Sequence, residues 1–375
     1  MYQGRPTFAE IDLRAIARNL ERVRDRVSPA AVMAVVKANA YGHGVERVSQ
    51  AVFKDKAEYL GAACIEEAVA LRRSDVQSPI LVFSGAGLNQ AAPYIEHDIE
   101  ATVYDETGLD NLQRAAAAHN REVAVHVKVD TGMGRLGVPW RSALEFVQRT
   151  QRTPGVRIQG LYTHFATSDH LDKSYALLQL SRFQQFLEQV KRAGMRIPLI
   201  HAANSGAILD LPESYFDMVR PGILLYGHYP SGGTTESIAL EPAMNFKTRV
   251  LFLKPLGRGE SVSYDRLFIA PEPTRVATLP AGYADGYNRL LSGAGEVMIR
   301  GTRYPVIGRV CMDLLVVDVG LSDPVQVGDE VLLFGRGDGD EIPLSVLCQA
   351  CGTIPYEVLC GISARVPRVY KETGR

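Results

Sequence analysis

The residues best placed to do chemistry stand where short apolar runs end. One run closes A-V-V-K-A-N-A-Y-G-H-G, with Lys37 at its tip. If that run is a strand opening into a barrel mouth, the Lys37 amine is partly desolvated. Desolvation favours the neutral amine, a nucleophile toward carbonyls. The alternative is an exposed lysine capping a strand. A second run closes V-K-V-D-T-G-M-G-R-L-G, with Lys128 on the strand and Arg135 beyond a glycine-rich turn. Such a turn folds tightly and can bring Arg135 inward, where a guanidinium clamps a carboxylate with two parallel hydrogen bonds. T-H-F-A puts His164 at another strand end, a place where a structural reading outweighs a catalytic one. H-A-A-N-S-G and V-R-P-G-I close two further runs. The Ser205 hydroxyl and the backbone N–H groups of Gly222 and Ile223 can form a phosphate cradle. Arg220 precedes Pro221, which favours an extended backbone aimed at the mouth.

The elements that would carry these residues alternate. Candidate strands cover 32–36, 59–63, 80–83, 100–103, 123–129, 158–163, 198–201 and 216–220. Helical spacing of three and four fills 46–53, 66–72, 109–118, 141–151 and 175–192. Eight strands with helical crossovers predict an α/β fold, a (β/α)8 barrel. An open doubly wound sheet competes, but no G-x-G-x-x-G follows the first strand. P-S-G-G-T-T-E-S then reads as a linker. Beyond it, Val-, Ile-, Gly- and Pro-rich runs at 246–253, 275–279, 296–299, 305–307, 314–319 and 330–334 predict a mostly antiparallel β domain. A helix at 343–351 interrupts it. The expected division is 1–12 as a strand joining the β domain, 13–232 as the barrel, and 240–375 as the β domain.

Composition narrows the function. The 375 residues hold 41 basic and 42 acidic side chains, a net charge of -1, which argues against a nucleic-acid binder. With 46% hydrophobic and 22% charged residues, the chain reads as globular. No apolar run approaches the roughly 18 residues of a membrane span. The N-terminus has no basic region followed by an apolar core, so a cytoplasmic location is expected. The five cysteines are an odd number, and reduced thiols are expected. Cys348-x-x-Cys351 has no second such pair and no nearby histidine pair, so no metal site is expected. His126 and His201 read as strand or packing residues, and His43 as part of a helix start.

Taken together, these segments resemble alanine racemase, a pyridoxal-phosphate enzyme of the barrel-fold class. Besides the barrel motifs that carry Lys37, Arg135, Ser205 and Arg220, the likeness rests on S-V-S-Y, L-P-A-G-Y-A-D-G, G-R-V-C-M-D and I-P-Y-E, in the family's order over essentially the whole chain. The resemblance implies that Lys37 holds the cofactor as an internal aldimine and then acts as one base. Tyr41, Asn204, Ser205, Gly222, Ile223 and Tyr356 are implied to bind the cofactor, mostly its phosphate, and Arg220 to face the pyridine nitrogen. A guanidinium keeps its protons, so the ring would be a weaker electron sink, which suits racemisation. The implied second base is Tyr264 from a partner subunit. A phenol ordinarily titrates near pH 10, so such a base must be depressed; the resemblance implies that His164 and Arg220, linked by hydrogen bonds, do this electrostatically. Arg135 and the Met312 N–H are implied to meet the substrate carboxylate. Lys128 is implied to brace Arg135 after carbamylation, Tyr283 to line the entrance, and Asp313 to stabilise its loop.

The same resemblance implies a homodimer with shared sites and a role in supplying D-alanine for peptidoglycan. Tyrosines at the reacting carbon would leave room for little beyond a methyl group, with slow turnover of serine. A barrel-type amino-acid decarboxylase shares cofactor and fold, but usually sets a carboxylate where Arg220 stands. A non-catalytic pyridoxal-phosphate carrier would lack the second domain. Two positions depart from the family's pattern: Asp265, where glycine is more usual, and His228, where an apolar residue is.

Overall fold

The computed structural model describes residues 4–54, 56–87, 90–337 and 339–371. The predicted domain spans beginning at Met1 and ending at Arg375 thus include residues outside the described ones. The chain forms two compact units. One is Ile16–Glu241; the other joins the N-terminal stretch through Ala15 to Pro242 and onward.

The first unit is a closed barrel of eight parallel strands. In order these are Ala31–Val35, Tyr59–Ala62, Ile80–Val82, Glu100–Val103, Val123–Asp130, Val156–Tyr162, Leu199–His201 and Met218–Val219. The fourth pairs with the fifth (Val103 opposite Val127), and the eighth returns to the first (Met218 opposite Ala31), which closes the ring. Parallel strands covered on both faces need continuous apolar runs. Val32, Ala34, Ile80, Val82, Ala101, Val125 and Leu161 are accordingly fully buried. The crossover helices have local causes. Asp105 caps Glu106–His119 by accepting from the Gly108 N–H at 2.7 Å, and Asn120 ends it in the left-handed conformation.

Two elements are shorter or looser than their sequence suggests. The eighth strand keeps only Met218–Val219, because Phe216 turns to φ 49° before it; the Arg220 N–H still bonds Ala203 O at 2.8 Å. The helical pattern at 46–53 becomes an α-turn, Val45–Val48, running into a wider π-turn, Ser49–Phe53. Pro230–Ser237, read as a linker, is tied to the barrel unit: Thr235 Oγ1 donates to Asp210 at 2.6 Å and Lys173 to Gly233 O at 3.2 Å.

The second unit is a mostly antiparallel sheet. Phe8–Asp12 lies between Met244–Arg249, antiparallel, and Arg368–Lys371, parallel. The predicted run 246–253 divides into Met244–Arg249 and Phe252–Leu256, because the first pairs with Glu330–Arg336 and the second with Thr274–Leu279. Leu344–Cys351 is helical, as its pattern suggests, and a second helix, Pro355–Gly361, follows it.

Gly206 offers a clean test of barrel packing. It is the second residue of the helix Ser205–Asp210, where alanine ordinarily stabilises by up to about 1 kcal/mol. Here a Cβ would stand 2.9 Å from the Ser168 backbone. Gly206→Ala is therefore expected to lower stability by roughly 1–3 kcal/mol in urea unfolding, since overpacking outweighs propensity.

Candidate active site

Lys37 lies two residues beyond the first barrel strand and begins an unusual turn. Ala38, Asn39, Ala40 and Tyr41 all adopt left-handed angles, with φ between 52° and 56°. Each such residue costs about 1–2 kcal/mol against the right-handed form, so the surroundings must hold the turn. Glu67 does so with both oxygens, accepting from the Ala38 N–H at 2.7 Å and the Ala63 N–H at 2.8 Å. Asn39 accepts from the Val45 N–H at 2.8 Å. Gly42 and Gly44, at φ 82° and 93°, complete the reversal.

The turn delivers Tyr41 to the loops after the seventh and eighth strands. Its ring stacks on Tyr226 at 4.9 Å, His43 stacks on the same ring at 4.6 Å, and the Tyr226 hydroxyl donates to Val35 O at 3.0 Å. A Cβ at position 222 would collide with the Tyr41 hydroxyl, so Gly222 is needed for that approach. The Gly222 N–H donates to Ser205 Oγ at 2.9 Å. Asn204 caps the helix behind Ser205, its Oδ1 accepting from the Ala207 N–H at 3.1 Å and the Ser168 hydroxyl at 2.7 Å. Ile223 opens a buried 3-10 turn, Ile223–Tyr226. The barrel thus gathers Tyr41, Asn204, Ser205, Gly222 and Ile223 around one small cradle.

Arg220 is buried beside it. Its Nη2 donates to Thr163 O at 2.7 Å and Ala202 O at 2.9 Å, and lies 3.4 Å from His164 Nδ1. Its Nη1 donates to His201 Nδ1 at 2.8 Å. Burial pushes the guanidinium down to about 10, still protonated at neutral pH. His164 lies well below the ordinary histidine range, first through burial and then through Arg220, Lys128, Arg135 and Lys37. It is therefore neutral. Lys128, 5.6 Å above the Tyr162 ring, is pushed down to about 8 by burial and the charges of Arg135 and Arg220. Arg135 lies on the loop after the fifth strand and is exposed on this unit. Asp130 holds that loop by accepting from the Gly132 N–H at 2.9 Å.

The sheet unit holds the remaining sequence candidates. Tyr264 is 70% exposed and Met312 53% exposed. Ser263 precedes Tyr264 at φ 63° and donates to Arg309 O at 2.7 Å. Asp265 stands at φ 60°, which is the physical reason glycine suits that position. Its carboxylate meets Arg309 at 2.9 Å, so its charge is paired. Tyr283 and Met312 are held together: the Tyr283 N–H donates to Cys311 O at 3.1 Å and the Ala284 N–H to Met312 O at 3.0 Å. Tyr356 lies on the helix Pro355–Gly361.

Sequence reasoning passed over the groups that hold these loops. Buried Asp285 accepts from Arg5 at 2.8 Å, Arg365 at 2.7 Å and the Gly282 N–H at 3.0 Å. Arg365 also donates to Asp313 at 2.6 Å, which ties in the loop that follows Met312. Asp285 stands inside a quoted motif, G-Y-A-D-G, yet its partners are distant in sequence. Glu67 and Tyr226 carried no local signal at all.

The fold and site define a (β/α)8-barrel enzyme with an appended antiparallel β unit. A family model described as the alanine racemase N-terminal domain matches residues 11–230, and one described as its C-terminal domain matches 243–370. The chain is 44% identical to "Alanine racemase 2" of Caldanaerobacter subterraneus, over 98% of this chain and 95% of that one. It is 44% identical to an alanine racemase of Clostridium perfringens over 98% and 96%. A solved alanine racemase of Clostridium difficile superposes with a TM-score of 0.94 at 34% identity, covering 99% of this chain and 97% of that one. The chain belongs to the alanine racemase family and is an isomerase that racemises alanine. No helix among the described residues is long and apolar enough to cross a membrane.

Asp285→Asn tests the clamp on the Tyr283 and Met312 loops. The new amide N–H₂ would oppose the arginine donors, and breaking a buried ion pair costs about 3 kcal/mol. Burial raises the Asp285 carboxyl, but hydrogen bonds from Arg365, Arg5 and Gly282 outweigh that and leave it below the usual range. The folded-state value is depressed, so its stabilisation is complete above about pH 4 and fades as pH falls further. Urea unfolding should show the wild-type advantage over Asp285→Asn at pH 7 and its loss in strong acid.

Proposed function

We propose that this chain racemises alanine by a two-base mechanism, with pyridoxal phosphate in the barrel mouth and a second copy completing each site. The family generally depends on that cofactor. The single observation carrying the reading is the cradle of Tyr41, Ser205 and Gly222 beside the buried cation Arg220. Two hydroxyls and a backbone that a Cβ would obstruct suit a phosphate. Asn204, Ile223 and Tyr356 would complete the binding set. When bound, the cofactor supplies the electron sink that acidifies the alanine Cα–H.

The chain's own groups then have distinct tasks. Lys37 carries the cofactor through its amine and moves the proton on one face. Tyr264 of the partner subunit moves it on the other. Arg220 keeps its protons, so if it faced the pyridine nitrogen it would leave that nitrogen unprotonated and the sink weaker. This opposes a decarboxylase, which needs the stronger sink. His164, neutral beside Arg220, would link that charge to the phenol. Arg135 and the Met312 N–H would hold the substrate carboxylate, with Tyr283 at the entrance and Asp313 bracing the Met312 loop. The exposure of Tyr264 and Met312 supports a homodimer, since both would work in bulk water unless another copy covers them. D-alanine for peptidoglycan is the proposed use of the product, in the cytoplasm.

The test is chiral separation of alanine after incubating L-alanine with protein and pyridoxal phosphate. Approach to an equal mixture is expected. Lys37→Ala should abolish cofactor absorbance and activity together. Tyr264→Phe should keep the absorbance and lose exchange of the Cα proton of L-alanine. Normal racemisation by Tyr264→Phe would overturn the two-base account.

Lys128 is proposed to carry a carbamate. Its neutral amine would attack CO₂, forming an N–C bond and releasing a proton, and the new anion would brace Arg135. Only the neutral amine reacts, and it becomes the major form as pH rises through about 8. At fixed dissolved ¹³CO₂, the carbamate signal in ¹³C NMR should therefore grow from pH 7 to 9 and vanish in Lys128→Met.

A further inference from the structure

Four side chains cross the barrel interior in one hydrogen-bonded file. Arg220 Nη1 is 2.8 Å from His201 Nδ1, His201 Nε2 is 2.8 Å from His126 Nδ1, and His126 Nε2 is 2.7 Å from Glu100 Oε2. Both histidines are fully buried. They come from the seventh and fifth strands, and Glu100 opens the fourth. The file therefore runs from the mouth, where Arg220 stands, toward the strand starts.

The proton positions in this file follow from donor chemistry. A guanidinium only donates, so His201 Nδ1 accepts. A neutral imidazole then carries its one proton on Nε2 and donates it to His126 Nδ1. His126 in turn carries its proton on Nε2 and donates it to the Glu100 carboxylate. Every bond points the same way, from the cation to the anion. His201 sits well below the usual histidine range, through burial first and then the charge of Arg220, which agrees with a neutral ring.

Packing shows that the file is built. His126 stands opposite Gly160 on the sixth strand, at a register shift between Val125 and His126. A Cβ on Gly160 would collide with the His126 ring. Tyr162 stacks on His201 at 4.8 Å with 4° between planes, and lies under Arg220 at 5.2 Å. Tyr59 donates to the other Glu100 oxygen at 3.4 Å, and Gln159 donates to the Tyr59 hydroxyl at 3.1 Å.

We propose that Glu100 is a remote positioning residue, which fixes the tautomers of His126 and His201 and thereby holds Arg220 in place at the mouth. Without a carboxylate, a donor at position 100 could turn both histidines over. His201 Nδ1–H would then oppose the Arg220 N–H. The consequence for turnover rests on Arg220's place in the racemase reading; the consequence for the tautomers does not.

The test uses ¹⁵N-histidine-labelled full-length protein, with and without pyridoxal phosphate. Side-chain ¹⁵N NMR of the wild type should show His126 and His201 as Nε2–H tautomers; a proton on Nδ1 of either would overturn the proposal outright. Glu100→Gln should populate the Nδ1–H forms, and Glu100→Asp should restore the wild-type pattern. In racemisation assays, Glu100→Gln should lose about tenfold in kcat with KM for alanine within about twofold, and Glu100→Asp should recover most of it. Unchanged tautomers in Glu100→Gln, or altered tautomers with unchanged kcat, would refute the role. A wild type that fails to racemise alanine would sink the racemase reading and leave the tautomer measurement to decide the file.

Discussion

The barrel mouth is organised around the burial of one guanidinium. Arg220 is 4% exposed, and an unpaired buried charge costs several kcal/mol. Its donors must therefore be met without water. The barrel meets them with what parallel strands leave over at their ends: the carbonyls of Thr163 and Ala202, beyond the sixth and seventh strands. A histidine nitrogen serves at Nη1 because an imidazole that stays neutral can accept there. The low basicity of His201 and His164 is thus a condition of holding Arg220, and the same burial imposes both.

The mouth carries an excess of positive charge. Lys37, Lys128, Arg135 and Arg220 all act on His164, and Asp130, the carboxylate that pulls Lys128 the other way, is engaged with the backbone of its own loop. Such a field opposes the compact state until anions enter it. A phosphate or a carboxylate would have the complementary sign, so binding one there would relieve repulsion as well as add contacts.

Much of this was legible from the sequence because the barrel places chemistry at strand ends, where a polar residue interrupts an apolar run. Lys37, Lys128, His164 and Arg220 all stand out that way, and the β-branched runs before them mark the strands. Gly222 was legible within a motif, although only the fold shows that it makes room for Tyr41, and Gly160, which makes room for His126, carried no signal. The eighth strand was overextended, since nothing in its composition signals the left-handed Phe216. What stayed hidden was every partner joined through space. Glu67, Asp285 with Arg365, and the file from Arg220 to Glu100 each link segments that are remote in the chain. A histidine on an apolar strand looks the same whether it packs or conducts a hydrogen bond. The paired charge of Asp265 was equally invisible, because Arg309 lies 44 residues away.

The left-handed turn after Lys37 has a consequence for how this stretch can change. Ala38 and Asn39 are exposed, and exposed positions ordinarily tolerate almost any side chain. Here handedness restricts them. A β-branched residue in that conformation is severely crowded, so valine, isoleucine and threonine are shut out by the backbone alone. Two surface positions are thereby closed to β-branched residues although neither is buried. A designer transplanting the lysine into another barrel would have to copy the screw sense of the loop before copying any neighbour.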